Sequence, residues 1–335
     1  MASVSVLDVG HANCAVLQDE RGVVIIDAGW GETLLEFLEQ QGIEVIDAIL
    51  ISHADADHIA GVLALLTERR ILVRTIYLNA EPSRQTQLWA ALRVAVQDAR
   101  ARGEVRVHVE LTTESTAVFE RGDTNLEILS PTPEIAMSGA GGTDLQGQPL
   151  SANAMSVVIR IVSNGTPALL LTGDMDDAGL ERLLTEIPEP RARTLVFPHH
   201  GGRPGRGSAF AFAERLSRAV QPNVVIFSIG RGKHGTPLPE IILGVRAGAP
   251  AVHIVCTQLS ERCAAVAPAH VSPHLGDRVA RGRASRSCCA GTFTMVLSET
   301  DPAFTPALVA HGAFVERHAP TALCLGRHVG KTGTP

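Results

Sequence analysis

The chain has 335 residues, 45% of them hydrophobic, and a formal net charge of -6. That length and apolar content can bury a sizeable core, which excludes a chain disordered overall and sets one large domain with an appendage, or two domains, as the expectation. The negative balance offers no global field to draw in nucleic acid, so it weighs against a nonspecific DNA-coating protein and leaves any anionic polymer to be held by local positive charge or bound metal.

The opening residues, Met-Ala-Ser-Val-Ser-Val-Leu-Asp, carry neither a basic n-region nor a sustained apolar h-region, and no segment reaches the roughly eighteen apolar residues of a membrane span. The expectation is a cytoplasmic protein with no membrane contact. Six cysteines in a long chain of this kind read as reduced thiols or metal ligands rather than a disulfide framework.

Short β-rich runs at 4–8, 14–17 and 23–27 come first, followed by a helix from about Thr33 and an apolar run over 48–52. That last run ends in His53-Ala-Asp55-Ala-Asp57-His58, four metal-ligand side chains within six residues. A strand that feeds a ligand-rich loop and then a helix holds imidazoles and carboxylates on rigid backbone, as a metal site of defined geometry requires. Ile59, Val62, Leu63 and Leu66 recur at helical spacing, which places Asp57 at the N-cap and His58 in the first turn. A second helix follows Pro82, with Leu88, Leu92 and Val96 on one stripe and a partner strand over 105–109.

Residues 131–152, rich in Pro, Gly, Ser and Thr, read as a long surface loop. Strands over 156–162 and 168–171 follow, the second running into Thr172-Gly173-Asp174, and a helix is expected over 177–187. Leu195-Val-Phe-Pro-His199-His200-Gly201 repeats the pattern of an apolar strand ending in histidines, and the strand at 224–228 ends in Arg231, Lys233 and His234. Four strands thus deliver Asp or His at their C-terminal ends, where α/β sheets place their sites.

A pair of metals about 3.5 to 4 Å apart needs a shared carboxylate, for which Asp174 is the candidate. His53 and Asp55 would then serve one metal, and Asp57, His58 and His199 the other. The oxygen-rich donor set lets Mn²⁺, or Fe²⁺, compete with Zn²⁺. An open coordination position would acidify a water towards neutral pH, so hydrolysis is the natural reaction. Asp57, Asp174, Lys233 and His234 are the candidate catalytic residues; Arg203, Arg206, Arg231 and Lys233 flank the histidine loops and would either neutralise phosphoryl charge or be plain solvated cations.

On these residues the chain resembles the metallo-β-lactamase fold superfamily, and within it the hydrolase domain of the ComEC competence proteins. The resemblance covers roughly 1–257: Val6-Leu-Asp8-Val-Gly10, Ile25-Ile-Asp27-Ala-Gly29, the full His53/Asp55/Asp57/His58 motif, Asn153 with Ser156, Leu171-Thr-Gly-Asp174 and Pro198-His199-His200-Gly201 match in order and spacing. It implies a four-layer αββα sandwich with a metal site at one edge and metal-dependent hydrolysis, in the ComEC-like branch of DNA phosphodiesters, here without the accompanying membrane channel. Lys233-His234-Gly-Thr236-Pro237 stands where that family tends to show Gly-His-Pro, so His234 would be a third ligand, a phosphate contact or a proton donor.

Beyond 257 the resemblance fades, and 258–335 read as a Cys- and Arg-rich insertion, a last strand and a partly ordered tail. The insertion, with Arg278, Arg281, Arg283 and Arg286, is expected inside a terminal strand pair, between Cys256 and an apolar strand over 293–297. Cys256, Cys263, Cys288 and Cys289 or a histidine would hold a structural zinc there, the segment also carrying His270 and His274, or else the cysteines stand as buried or free thiols. The tail carries Cys324-x-x-x-His328. The leading expectation is therefore a two-metal phosphodiesterase or nuclease acting on DNA. The alternatives are a small ester, thioester or lactone hydrolase, a di-iron oxidoreductase, and a non-catalytic metal-containing binding module.

Overall fold

A computed structural model describes residues 2–297 and 302–326; His328 lies outside them. Two large sheets form its centre. The first runs, in spatial order, Ala303–Thr305, Phe293–Val296, Ser3–Val6, Cys14–Asp19, Gly22–Ala28, Ala48–Leu50, Thr75–Tyr77 and Arg106–His108. The second runs His253–Cys256, Val224–Phe227, Thr194–Val196, Thr166–Leu171, Val158–Ser163, Thr124–Ser130 and Glu120–Arg121. Each sheet is antiparallel on one side and parallel on the other: Gly22–Ala28 through Arg106–His108 pair in parallel, as do Thr166–Leu171 through His253–Cys256.

Period-2 alternation sorts the side chains into layers. From Gly22–Ala28, Val24 and Ile26 face a central core that also takes Leu169, Leu171, Val196 and Ile226 of the second sheet. Val23 and Ile25 face the opposite way, towards Leu34, Phe37, Ile59, Val62 and Trp89 of the helices Thr33–Gln40, Ala56–Glu68 and Gln87–Ala101. On the far side Leu170, Leu195, Val225 and Ile254 pack against Leu180, Phe212, Leu216 and Ile241 of Asp177–Glu186, Ala209–Val220 and Pro239–Gly248. Helix, sheet, sheet and helix layers make the expected αββα sandwich.

Several local expectations need correcting. The helix after the histidine motif has its N-cap at Asp55, not Asp57; the Asp55 side chain makes no capping bond because His53 and Arg84 engage it. The next helix starts at Gln87, capped by Thr86, whose hydroxyl accepts from Trp89 N; Pro82 lies in the preceding turn, where Arg84 N donates to Glu81 O. The 131–152 loop contains a short helix, Pro133–Ser138. The tail holds a strand, Ala303–Thr305, and a helix, Leu308–His318, which buries Phe314 and Val315. The insertion is not inside one strand pair. His253–Cys256 is the edge of the second sheet, whereas Phe293–Val296 pairs antiparallel with Ser3–Val6 of the first, so 257–292 cross from one sheet to the other.

Asp8 secures that crossing. Its buried carboxylate accepts from Gln258 Nε2 at 2.8 Å and from Gly282 N at 2.9 Å, tying the opening hairpin to the insertion. Among the described residues, no helix is long and apolar enough to cross a membrane.

Candidate metal centre

Parallel strands from both sheets bring their C-terminal ends to one edge of the sandwich, and the ligand loops meet there. His53 follows Ala48–Leu50, Asp174 follows Thr166–Leu171, and His199 and His200 follow Thr194–Val196. Two groups of donors result, each with its atoms within 4.8 Å of one another: Asp57, His58, Asp174 and His200, and His53, Asp55 and Asp174. Asp174 belongs to both, as a carboxylate shared between two ions must.

His53 Nε2 lies 3.3 Å from Asp55 Oδ2 and 4.0 Å from Asp174 Oδ2; His58 Nε2 lies 3.3 Å from Asp174 Oδ1. Both Nε2 atoms are buried without a hydrogen-bond partner. Buried polar atoms are rarely left so, and here they face carboxylate oxygens, which leaves room for a cation between them. The donor set of imidazole and carboxylate, with a shared buried aspartate, therefore fits divalent metal.

Around these donors stands a set of orienting groups. His58 Nδ1 is 2.8 Å from Asp27 Oδ2, and Asp27 also accepts from Ser52 N at 2.7 Å and Ser52 Oγ at 2.8 Å. His200 Nδ1 lies 2.6 Å from the Ser228 carbonyl, which makes that nitrogen the donor and turns Nε2 towards Asp57 Oδ2, 3.1 Å away. Ser156 Oγ accepts from Asp174 N at 3.0 Å, and Asn13 Nδ2 reaches Asp174 Oδ1 at 3.5 Å. Outer partners of this kind fix ring orientation and tautomer. Asp27 sits at φ 56, a left-handed conformation that aspartate tolerates and that turns its carboxylate from the strand towards His58.

Electrostatics bind the cluster without metal. Burial works against the charged form of His58, but the charges of Asp27 and Asp174 outweigh it and hold its pKa well above the ordinary histidine value. Burial likewise opposes ionisation of Asp174, yet His58, His200 and the hydrogen bond with His199 hold it well below the usual carboxylate range. In the metal-free chain His58 is thus held in its protonated form, and a metal bound through its Nε2 would have to displace that proton. Because its folded pKa is raised, the stability it contributes is fully present below about pH 6.5 and is lost as pH rises through the raised value, while metal uptake, which expels that proton, strengthens over the same rise. Asp27→Asn is expected to weaken metal affinity about 10–100-fold. Chelator competition across pH checks this; an unchanged affinity would remove Asp27 from the site.

His199 and His200 have φ 51 and φ 54, two consecutive non-glycine residues in the left-handed region, each costing about 1–2 kcal/mol. The strain turns the two rings to different tasks. His199 is hydrogen-bonded through Nδ1 to Asp174 Oδ2 at 2.9 Å and remains partly exposed, whereas buried His200 joins Asp57, His58 and Asp174. His199 was the expected ligand of that group and His200 had no assigned role.

Beside the centre a cleft of about 570 Å³ opens on Asp57, lined by His11, Trp30, Lys233, His234 and Arg281 among others. His11 was not read from the sequence, since nothing around it carries a ligand pattern. Its ring lies between His200 and His234, tilted against both, with centroids 4.2 and 4.7 Å away, and burial, then those two histidines, lowers its pKa to about 3. Arg231 also lines the cleft, but its guanidinium donates to the carbonyls of Leu259, Ala264 and Ala265 and so holds the insertion. Arg203 and Arg206 are exposed on the loop after His200. Of the four cysteines expected together, Cys256, Cys263 and Cys289 share one apolar cluster, while Cys288 Sγ points to Asp8 Oδ2 at 3.5 Å.

Comparison with known proteins agrees with this arrangement. Residues 7–136 match the family model of the metallo-beta-lactamase superfamily. The ComE operon protein 3 of Bacillus subtilis (strain 168) is 26% identical over 253 residues, covering 68% of this chain and 28% of that protein, so the chain spans under a third of the relative's length. Among solved structures, the metallo-beta-lactamase fold protein YhfI from Bacillus subtilis aligns with a TM-score of 0.46 at 11% identity, over 76% of this chain and 96% of that one. Human tRNase Z, short form, aligns with a TM-score of 0.38 at 13% identity, over 78% and 93%. Within the two-sheet sandwich, the stretch 7–136 is thus similar to the metallo-β-lactamase superfamily, its ligand-bearing strand ends form a site compatible with divalent metal, and the chain resembles a stretch of ComE operon protein 3.

Proposed function

We propose that this domain hydrolyses phosphodiester bonds in nucleic acid, with DNA as the leading substrate. The observation that carries the reading is the cleft opening on Asp57, where the cations of Lys233 and Arg281 and the half-exposed ring of Trp30 stand together beside the donors. A backbone phosphate needs positive charge near the developing oxyanion, and an unstacked base gains from an aromatic face. The likeness to ComE operon protein 3 is in keeping with the ComEC-like resemblance of the motifs, which implies DNA phosphodiesters.

His53, Asp55 and Asp174 would hold one divalent ion, and Asp57, His58, Asp174 and His200 a second, with His199 positioning Asp174. Two such ions, manganese or zinc, would supply Lewis-acid stabilisation of the phosphoryl charge and lower the pKa of an attacking water. Lys233 at the cleft wall is placed to neutralise a non-bridging oxygen. His234, exposed and with its ring tilted against His11, would give a proton to the leaving oxygen. Arg281, reaching in from the insertion, donates to the carbonyls of Val9 and Trp30 and so sets the cleft rim. The sandwich of 1–257 would supply the chemistry and the segment 258–335 this rim.

The test is manganese-dependent cleavage of labelled single- and double-stranded DNA and of bis-(p-nitrophenyl) phosphate, with Asp57→Ala prepared identically. Activity in the wild type alone is the expected result. Lys233→Ala should weaken DNA cleavage by roughly 10-fold, about 1.4 kcal/mol, and leave bis-(p-nitrophenyl) phosphate, which lacks a flanking backbone, less affected. Metal-loaded protein inactive on all three substrates would overturn the reading in favour of small esters or a binding role.

A further inference from the structure

We propose that Cys256, Cys263, Cys289 and Cys324 form a second metal site, a structural tetrathiolate site for a soft four-coordinate ion such as Zn²⁺, separate from the His/Asp centre. Four of the six cysteines belong to or pack against one apolar cluster, coming from three separate stretches of chain, 256–263, 289 and 324. Cys256 ends the edge strand His253–Cys256. Cys289 lies beside it, held by Cys289 N donating to Thr257 O at 3.0 Å and Ala290 N to Cys256 O at 2.9 Å. Cys263 comes from the insertion, fixed by its N–H to Ser260 O at 3.0 Å, and Cys324 from the 3₁₀ turn Leu323–Leu325.

All four belong to the same apolar cluster, Cys256 and Cys289 as buried members and Cys263 and Cys324 packed against it. Burial, then the nearness of the other three sulfurs, drives the Cys256 thiol well above its ordinary pKa; burial, then Cys263, pushes Cys324 to about 12. Without an ion the group is four neutral thiols, and a divalent cation is what lets thiolates share so apolar a corner.

A second observation points the same way. His311 is buried, with Nε2 3.3 Å from Cys289 Sγ and Nδ1 3.0 Å from His253 Nε2. If His253 donates to Nδ1, the Nε2–H of His311 is aimed at the sulfur, the outer-shell hydrogen bond that orients metal-bound ligands. Among the described residues no three of these sulfurs lie within 4.8 Å of one another, unlike the donors of the His/Asp centre, so a bound ion would have to bring them closer together.

The surrounding chain explains the need. Between Cys256 and Phe293 the described residues contain one 3₁₀ turn, Pro273–Leu275, and an isolated bridge between Gln258 and Cys288, and no other regular element. A crossing of that length without a ladder of its own needs an external clamp, and a four-thiolate ion contributes folding energy directly. It would join the insertion, the last strand of the sandwich and the C-terminal helix to one strand end. Cys288, turned towards Asp8, takes no part.

The test measures metal per chain and the spectrum of the Co²⁺-substituted full-length protein, for wild type, Cys263→Ser/Cys324→Ser and Cys288→Ser, each with and without Asp174→Ala. The expected result is one tightly held ion that survives Asp174→Ala, a thiolate-to-cobalt charge-transfer band, loss of both in the double variant, and retention of both in Cys288→Ser. Should the double variant fail to fold, thiol titration of the wild type with a mercurial must release one zinc per chain. Absence of the band, an unchanged metal count, no release on titration, or an intact mass showing these cysteines as disulfides would overturn the proposal.

Discussion

Asp174→Ala is expected to strip both ions from the His/Asp centre and abolish hydrolysis, a loss well beyond the roughly 10–100-fold that follows removal of an outer partner. The carboxylate is buried and contacts every imidazole of the centre: His199 Nδ1 at 2.9 Å, His58 Nε2 at 3.3 Å, His200 Nε2 at 3.9 Å and His53 Nε2 at 4.0 Å. No neighbour can replace it, because Asp57 and Asp55 each serve one donor group only. The metal-free chain should lose stability as well. The depressed pKa of Asp174 gives a contribution present above about pH 3.8, and the raised pKa of His58 gives one present below about 6.5, so the variant's deficit should be largest between roughly pH 4 and 6.5 and shrink outside that window. Metal content, activity and thermal unfolding of chelator-treated protein across pH check the three parts; retained metal and activity would show that Asp174 is a turn residue.

Gly173→Ala is expected to damage the centre from the residue before it. Gly173 has φ 50, and a Cβ there would stand 2.2 Å from Ser156 Oγ and 2.9 Å from Ser52 Cβ. Those two hydroxyls hold the imidazoles: Ser52 Oγ lies 3.2 Å from His53 Nδ1 and 3.1 Å from His58 Nδ1, and Ser156 Oγ is 3.4 Å from His53 Nδ1. The methyl group therefore adds a left-handed conformational cost of about 1–2 kcal/mol to an overpacking cost of about 1–3 kcal/mol. A fall in melting temperature of about 5 °C or more should accompany weakened metal binding. Adding Ser156→Ala makes room for the methyl and should recover part of the stability. Additive losses in the two single variants and the double would contradict the steric account.

The parts of the centre that were legible in the amino-acid sequence are those whose cause is local. His53, Asp55, Asp57 and His58 lie within one strand-to-helix junction, and Asp174 and the His199/His200 pair each follow an apolar run at once, so periodicity placed them at strand ends. The four layers were what the family resemblance implied, and the structure sorts Val23 and Ile25 against Val24 and Ile26 into them. The helix Leu308–His318 had a readable stripe in Leu308, His311, Phe314 and Val315, but Gly and Pro flanks hid it within a segment read as tail.

The alternation of β-rich and helical runs by itself determined an α/β chain, and the strand-end ligands a site fit for divalent metal; the αββα sandwich was what the family resemblance implied. Which of two adjacent histidines joins Asp57 was decided by a left-handed backbone at both, a turn that no spacing rule encodes. The pairing of Phe293–Val296 with Ser3–Val6, the grip of Asp8 on Gly282, the approach of His11 to His200 and the packing of Cys324 against the cluster that holds Cys256 join residues far apart in the chain. Such contacts depend on how the layers close on one another, and local propensity says nothing of which distant side chains then meet; only the tertiary structure decides them.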